Sequence, residues 1–238
     1  SAATRRGAPY DQVRRFYQEI DRITTGQYEF APAEVINGLR PRIQALLEKA
    51  VAKYPDDIHL CQAVANIYRR AKLHDKAAAL FEAGLRHART SGKRRWFTRT
   101  AATALYNQAY YQLDAQKKRT EAIALYESVV KKYPKTYYAQ RALARIAYIY
   151  RYFLKDYQKA IQTKRRFIAK YPSSDEVRQA LYDIAYIYHY NLRQYENAVK
   201  AYREFIAKYP DDDRVPSCHV AIGMIYEQLL KEPEKALG

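Results

Sequence analysis

Histidine and cysteine carry the most obvious chemistry in this 238-residue chain, and their spacing argues against a catalytic use. His59, His74, His87, His189 and His219 are scattered, with no His-Glu-x-x-His or comparable ligand spacing, and no Gly-rich phosphate loop is present. Cys218 and His219 are sequence neighbours, so a helix would project them in different directions rather than pair them as nucleophile and base. Each of these residues is expected to be structural. The chain is therefore read as not an enzyme, with no catalytic residue, cofactor or metal.

A second group of residues suggests anion chemistry. The stretch RHARTSGKRRWFTR sets Arg86, Arg89, Lys93, Arg94, Arg95 and Arg99 around the single tryptophan, Trp96. Basic groups interleaved with an aromatic hold phosphates while the ring stacks on a base or sugar, so these seven residues form a candidate anion patch. The preferred account is plainer: a polar connection between repeats, in which Trp96 and Phe97 anchor the next helix. Charge is also uneven along the chain. Residues 1–172 hold 34 basic and 14 acidic groups, whereas residues 173–238 hold 8 and 11. Such a field favours anionic partners without identifying them. Its plain alternative is a solvated basic surface.

These residues need a frame. With 48% hydrophobic and 14% aromatic residues the chain can bury a core, and 7 Gly with 9 Pro are too few for a sandwich or barrel. No apolar run approaches the ~20 residues that cross a bilayer. The opening SAATRRGAPY lacks the apolar core of a signal peptide and says nothing of compartment. The frame itself is a repeat. Tyr133, Tyr171 and Tyr209 precede Pro134, Pro172 and Pro210, and this constant interval is shared by Ala109, Ala147, Ala185 and Gly223 and by Ala122, Ala160, Ala198 and Ala236. A fixed period of this size marks a solenoid.

Within each unit the apolar residues fall three and four apart, so each unit is a helix pair that must stack on its neighbours to bury its stripe. Lys-Tyr-Pro is then punctuation: proline ends one helix at the preceding tyrosine. Ser173 with Glu176 fits a capping box opening the next helix, and Asp57, Thr136 and Asp213 are comparable caps. Cys61 and Cys218 stand roughly four repeats apart, too far in a solenoid for Cα atoms to come within the ~7 Å of a disulfide. Unpaired thiols fit a reducing compartment or buried, inert cysteines.

At Ala185, Tyr188, Ala198, Tyr202 and Pro210, at Ala147, Tyr150, Ala160 and Pro172, and at Ala65, Tyr68, Ala77 and Phe81, the sequence resembles the tetratricopeptide repeat family. Two features depart from it: Lys164 stands where the second aromatic belongs, and the unit has 38 residues rather than about 34. The unit ending in Lys-Tyr-Pro is similar to bacterial envelope repeat proteins, the outer-membrane assembly lipoprotein D and the Tol-Pal coordinator among them. The resemblance implies an all-α, right-handed solenoid of antiparallel helix pairs and an adaptor at the bacterial periplasm or outer-membrane periphery. A cytoplasmic repeat protein is the alternative. The expected organisation is an irregular N-terminal helical cap and first repeat over 1–57, then repeats at about 58–96, 97–136, 137–174, 175–212 and an incomplete 213–238. Ala236 would open an unfinished helix, so the chain is expected to continue past Gly238 or to be covered there by another molecule.

The resemblance also implies that the free face of each first helix lines a concave groove. Helical counting puts Arg69 and Arg70, Tyr106 and Tyr110, Arg141, Tyr148, Arg151 and Tyr152, and Tyr182, Tyr186, His189 and Tyr190 on that face. Tyrosine and arginine combine contact area with directed hydrogen bonds, which suits an acidic or aromatic-rich protein or peptide partner. About half of the tyrosines are expected to be packing instead. The alternative is an anionic polymer, whether nucleic acid, cell-wall glycan or lipid surface, on the basic N-terminal and middle repeats.

Overall fold

A computed structural model describes residues 44–229, and among these the chain is ten helices with no strand. It divides into two compact units, Ser1–Gln116 and Lys117–Gly238. In the first unit, α1 (44–53) is followed by α2 (Ile58–Arg70), α3 (His74–His87) and α4 (Ser91–Asp114), with α3 packed on both α2 and α4. In the second, α5 (Arg119–Lys132), α6 (Tyr137–Tyr148), α7 (Tyr157–Lys170), α8 (Glu176–Tyr186), α9 (Tyr195–Lys208) and α10 (Val215–Met224) each pack on the next. Residues 1–43 of the expected N-terminal cap, and Ala236, lie outside the described residues. No described helix is long and apolar enough to cross a membrane.

The alanines that keep the repeat period lie in the core. Ala109, Ala147 and Ala185 on the first helices and Ala122, Ala160 and Ala198 on the second are all buried. With no side chain beyond Cβ, they let neighbouring helices approach closely while Leu143, Ile146, Leu181 and Ile184 fill the interior. In the first unit Gly84 of α3 serves the same end: a Cβ there would overlap the buried Phe97 ring of α4. Trp96 packs edge-on against Phe81 and Phe97, with centroids 5.7 and 4.9 Å away.

Lys-Tyr-Pro ends α5, α7 and α9 at Lys132, Lys170 and Lys208, with the tyrosine as C-cap each time. The tyrosine also stitches. Tyr171 and Tyr209 lie 5.7 Å from Phe167 and Phe205 respectively, one turn back. The Tyr171 hydroxyl donates to the Pro134 carbonyl of the preceding repeat at 2.9 Å. At the helix starts, Asp57 accepts from the amides of His59 and Leu60, and Thr136 from that of Ala139. Two expected caps shift by one residue. Ser174, not Ser173, faces the Glu176 amide at 3.4 Å, because the turn after Pro172 runs one residue further before the helix starts. Asp212 rather than Asp213 receives the Arg214 amide, at 3.0 Å.

How the paired helices are joined was not legible in the residue pattern. α6, α8 and α10 each continue into a π-helical turn, at Ile149–Phe153, Ile187–Leu192 and Ile225–Leu229. The amides of Asp156 and Gln194 close the wide turns on the carbonyls of Tyr150 and Tyr188, both at 2.9 Å. A basic residue then takes the left-handed conformation: Lys155 at φ 54° and Arg193 at φ 53°, as do Lys117 at φ 56° and Lys72 at φ 59°. Each precedes the N-cap of the second helix.

A Cβ in the left-handed region costs about 1–2 kcal/mol, partly offset when glycine raises the entropy of the unfolded chain. Lys155→Gly and Arg193→Gly are each expected to raise stability by about 0.5–1 kcal/mol in urea unfolding. A loss of stability would show that the lysine or arginine side chain is itself needed at the turn.

Acid unfolding gives a second expectation. Arg214 donates from Nε to Asp212 Oδ1 at 2.7 Å and from Nη2 to Oδ2 at 3.0 Å, and this holds the Asp212 carboxyl down to about 2. A carboxyl depressed in the folded state contributes stability above its unfolded value of ~4, and that contribution is lost as pH falls through the folded value. Asp212→Asn should therefore flatten the stability profile between about pH 4 and pH 2 relative to wild type. Parallel profiles would remove Asp212 from the acid response.

Candidate partner-binding site

In the second unit, α6, α7 and α8 enclose a cavity of about 400 Å³. Its origin lies in a break of the repeat. Tyr106 and Tyr182 stand one period either side of Ala144, and Tyr126 and Tyr202 stand one period either side of Lys164. In the later repeat Tyr182 meets Tyr202 and Phe205 edge-on, with centroids 6.3 and 5.6 Å away. In the middle repeat both rings are missing, and Ala144 and Lys164 line the space with Leu143, Ala147, Phe167 and Ala180. Lys164, the departure from the family pattern, is now accounted for. Its ammonium pairs with Asp183 of α8 at 2.5 Å, while Arg151 lies 3.6 Å from the same carboxylate. Gln179 donates to the other side of Asp183 at 2.9 Å.

Tyr148 and Tyr152 form an aromatic rim on this cavity, and the aromatic surface continues beyond it to Tyr186 and Tyr190. Tyr148 and Tyr152, one turn apart, lie 4.7 Å from ring to ring, and Tyr186 and Tyr190 of the next repeat lie 4.5 Å apart. The Arg151 guanidinium sits 4.9 Å from the ring centres of both Tyr152 and Tyr186, and so joins one pair to the next. All four tyrosines are exposed, Tyr186 at 36% and Tyr190 at 55%. Two cations share one carboxylate and one of them is stacked on rings, so the charge here is largely satisfied within the protein. The surface offered outward is π-face and apolar wall. Helical counting found the tyrosines and Arg151. It missed Ala144, Lys164 and Asp183, although the two interruptions of the tyrosine period at 144 and 164 were legible.

Two other expected groove residues of this unit, His189 and Tyr182, belong to the packing, and a third, Arg141, is bonded to a neighbour on its own helix. His189 is buried, stacked on Tyr190 at 4.0 Å and facing the Tyr202 hydroxyl at 3.4 Å, and burial holds its imidazole below the usual range. Its placement in the groove is corrected: the π-helical turn of Ile187–Leu192 carries it round to the interior. Tyr182 is half-buried under Arg214, whose guanidinium lies 5.0 Å from its ring. Arg141 donates to the Tyr137 hydroxyl at 2.9 Å.

In the first unit, Tyr110 of α4 is exposed, but Tyr106 is buried and so is also corrected to a packing residue, its ring lying on the core side of α4. Arg69 and Arg70 are exposed on the last turn of α2. Part of the candidate anion patch is engaged within the protein. Lys93 pairs with Asp56 at 2.5 Å, Arg94 donates from Nε to the Ala88 carbonyl at 3.1 Å, and Trp96 is held by its two phenylalanines. Arg86, Arg89 and Arg95 are exposed. Arg99 instead joins Arg69 at a cavity of about 240 Å³ among α2, α3 and α4. Cys61 and Cys218 are buried free thiols, pushed up by burial to about 12 and about 11. Among the described residues no three His, Cys, Asp or Glu gather as a metal site.

Solved structures that align with the chain include MamA (residues 41 to the end) from Desulfovibrio magneticus RS-1, at 16% identity over 75% of this chain and 88% of that one, with a TM-score of 0.40. A tetratricopeptide repeat protein from Parabacteroides merdae ATCC 43184 aligns at 17% identity over 93% and 76%, with a TM-score of 0.39. TTC0263, a thermophilic TPR protein in Thermus thermophilus, aligns at 16% identity over 87% and 98%, with a TM-score of 0.36. No curated protein matches the chain. The tetratricopeptide repeat profile matches residues 103–136, 141–174 and 179–212, leaving out four residues between successive matches, at 137–140 and 175–178. Those residues lie at or beside the starts of α6 and α8, which is where the longer unit of this chain exceeds the family's usual length. Among the described residues the chain is thus an all-α arrangement of antiparallel helix pairs, and three of its segments match the tetratricopeptide repeat model.

Proposed function

We propose that the chain is a non-catalytic scaffold that docks a protein or peptide partner on Tyr148, Tyr152, Tyr186 and Tyr190, with one large side chain of the partner entering the neighbouring cavity. The observation that carries this reading is the pair of exposed tyrosine pairs joined by Arg151 beside an open space of about 400 Å³. Exposed aromatic rings fixed by stacking lose little side-chain entropy on binding, which suits them to act as anchors. Asp183 already neutralises much of the local positive charge, so this site favours the aromatic character of the expected partner over the acidic one.

Affinity capture from the native source with the full chain tests the proposal. A specific partner should be lost, by about tenfold or more, from Tyr148→Ala with Tyr186→Ala and also from Ala144→Tyr, which fills the cavity without removing a contact. Arg94→Gln with Arg95→Gln should leave it unchanged. The second reading, an anionic polymer held by the basic repeats, is favoured by the exposure of Arg86, Arg89 and Arg95. It predicts the reverse pattern and an affinity that falls steeply with salt.

The compartment proposed is the bacterial periplasm or outer-membrane periphery, supported by the Lys-Tyr-Pro punctuation of the long repeat. Fractionation of cells expressing the native gene should place the protein with soluble periplasmic or membrane-associated material. Recovery in the cytoplasm would leave the scaffold reading intact and remove the envelope one.

A further inference from the structure

We infer that the cavity of the first unit bounded by Arg69 and Arg99 binds a phosphorylated serine or threonine side chain of a partner protein. Two arginines, one from the end of α2 and one from α4, line the same space of about 240 Å³, and among the described residues no aspartate or glutamate lines it. Both arginines are exposed, and neither has an ion pair among the described residues. This is the opposite of the second unit, where Arg151 and Lys164 share Asp183. Like charges facing one cavity repel, and an anion placed between them relieves that repulsion.

The remaining lining sets the kind of anion. Gln62 donates its amide to Asn66 Oδ1 at 3.2 Å, which orients Asn66 and leaves the Asn66 amide nitrogen as a donor. Asn107 adds a further amide. The hydroxyls of Thr100 and Thr103 donate back to the carbonyls of Trp96 and Arg99, at 2.9 and 2.8 Å, and present lone pairs rather than hydrogens. His74, packed 5.1 Å from Tyr111, is held by burial below its usual range, so it adds polarity without a charge. Two fixed positive charges match a phosphomonoester, which carries about −1.5 to −2 at neutral pH, better than one carboxylate. Its three acceptor oxygens can engage two guanidinium forks at once.

The aromatic neighbours argue for a side chain rather than a nucleotide. Phe81, the one ring of carbon among the described lining residues, is buried, and Trp96, which meets Phe81 and Phe97 edge-on, is not among them. Among the described lining residues a base would find no exposed aromatic carbon ring on which to stack. This site shares no residue with the tyrosine rim, so its failure and that of the proposed scaffold site are separately visible.

The test is calorimetric titration of the full chain with a capped alanine-rich heptapeptide bearing one phosphoserine, its glutamate counterpart, and adenosine monophosphate. The phosphopeptide is expected to bind about tenfold or more tightly than the glutamate peptide. Arg69→Gln and Arg99→Gln should each weaken it by about tenfold at unchanged melting temperature, and Arg86→Gln by less than about twofold. Equal affinity for the phosphoserine and glutamate peptides in the wild-type chain would overturn the inference without reliance on any variant. So would binding indifferent to both substitutions, or equally weakened by Arg86→Gln. Adenosine monophosphate binding more tightly than the phosphopeptide would reassign the cavity to a nucleotide.

Discussion

A two-helix unit has an apolar stripe that it cannot bury alone, and this constraint organises the rest of the molecule. Neighbouring helices must come close enough to close the stripe, which only small residues permit at the crossing points. Ala109, Ala147 and Ala185 meet that demand on the first helices, and Ala122, Ala160 and Ala198 on the second. Gly84 meets it in the first unit, where the Phe97 ring occupies the place of a side chain. Once these approaches are fixed, the junctions must also recur at a fixed distance. Proline stops the helix, and the tyrosine before it packs on the phenylalanine one turn back. Through the Tyr171 hydroxyl the same motif grips the previous repeat. The motif is therefore a joint as well as a stop.

The candidate sites arise where this regularity fails. A repeat that kept both rings would fill the space between α6, α7 and α8, as Tyr182 does against Tyr202 and Phe205. Ala144 and Lys164 leave it open, and Lys164 brings a charge that must be answered at the edge of the core. Asp183 answers it and draws in Arg151, whose guanidinium then spans the tyrosine pairs of two repeats. One pair of substitutions in the pattern thus accounts for the cavity, the ion cluster and the fixed orientation of the aromatic rim.

Charge separates the two units as binding surfaces. The second unit neutralises its groove cations with its own carboxylate, which leaves stacking and apolar contact to recognise a partner. Among the described residues of the first unit, Arg69 and Arg99 have no carboxylate to answer them around a smaller space. The overall excess of 42 basic over 25 acidic residues describes neither site, because the relevant quantity is which cations already have a partner nearby.

Helix pairs, their period and their stops were written in the sequence, because the spacing of small residues, aromatics and prolines is a one-dimensional record of how a repeat stacks. The tyrosines at 148, 152, 186 and 190 followed from the same register. Three things had no such record. The π-helical turns and the left-handed lysines and arginines depend on how the first helix unwinds to reach the second, and that geometry turned His189 inward against the count. The pairing of Asp183 with Lys164 and Arg151 joins three helices, so only their packing could bring the groups together. Arg69 and Arg99, assigned from sequence to different features, line one cavity for the same reason: residues far apart in the chain, on separate helices, come together through the fold, and sequence spacing carries no measure of that distance.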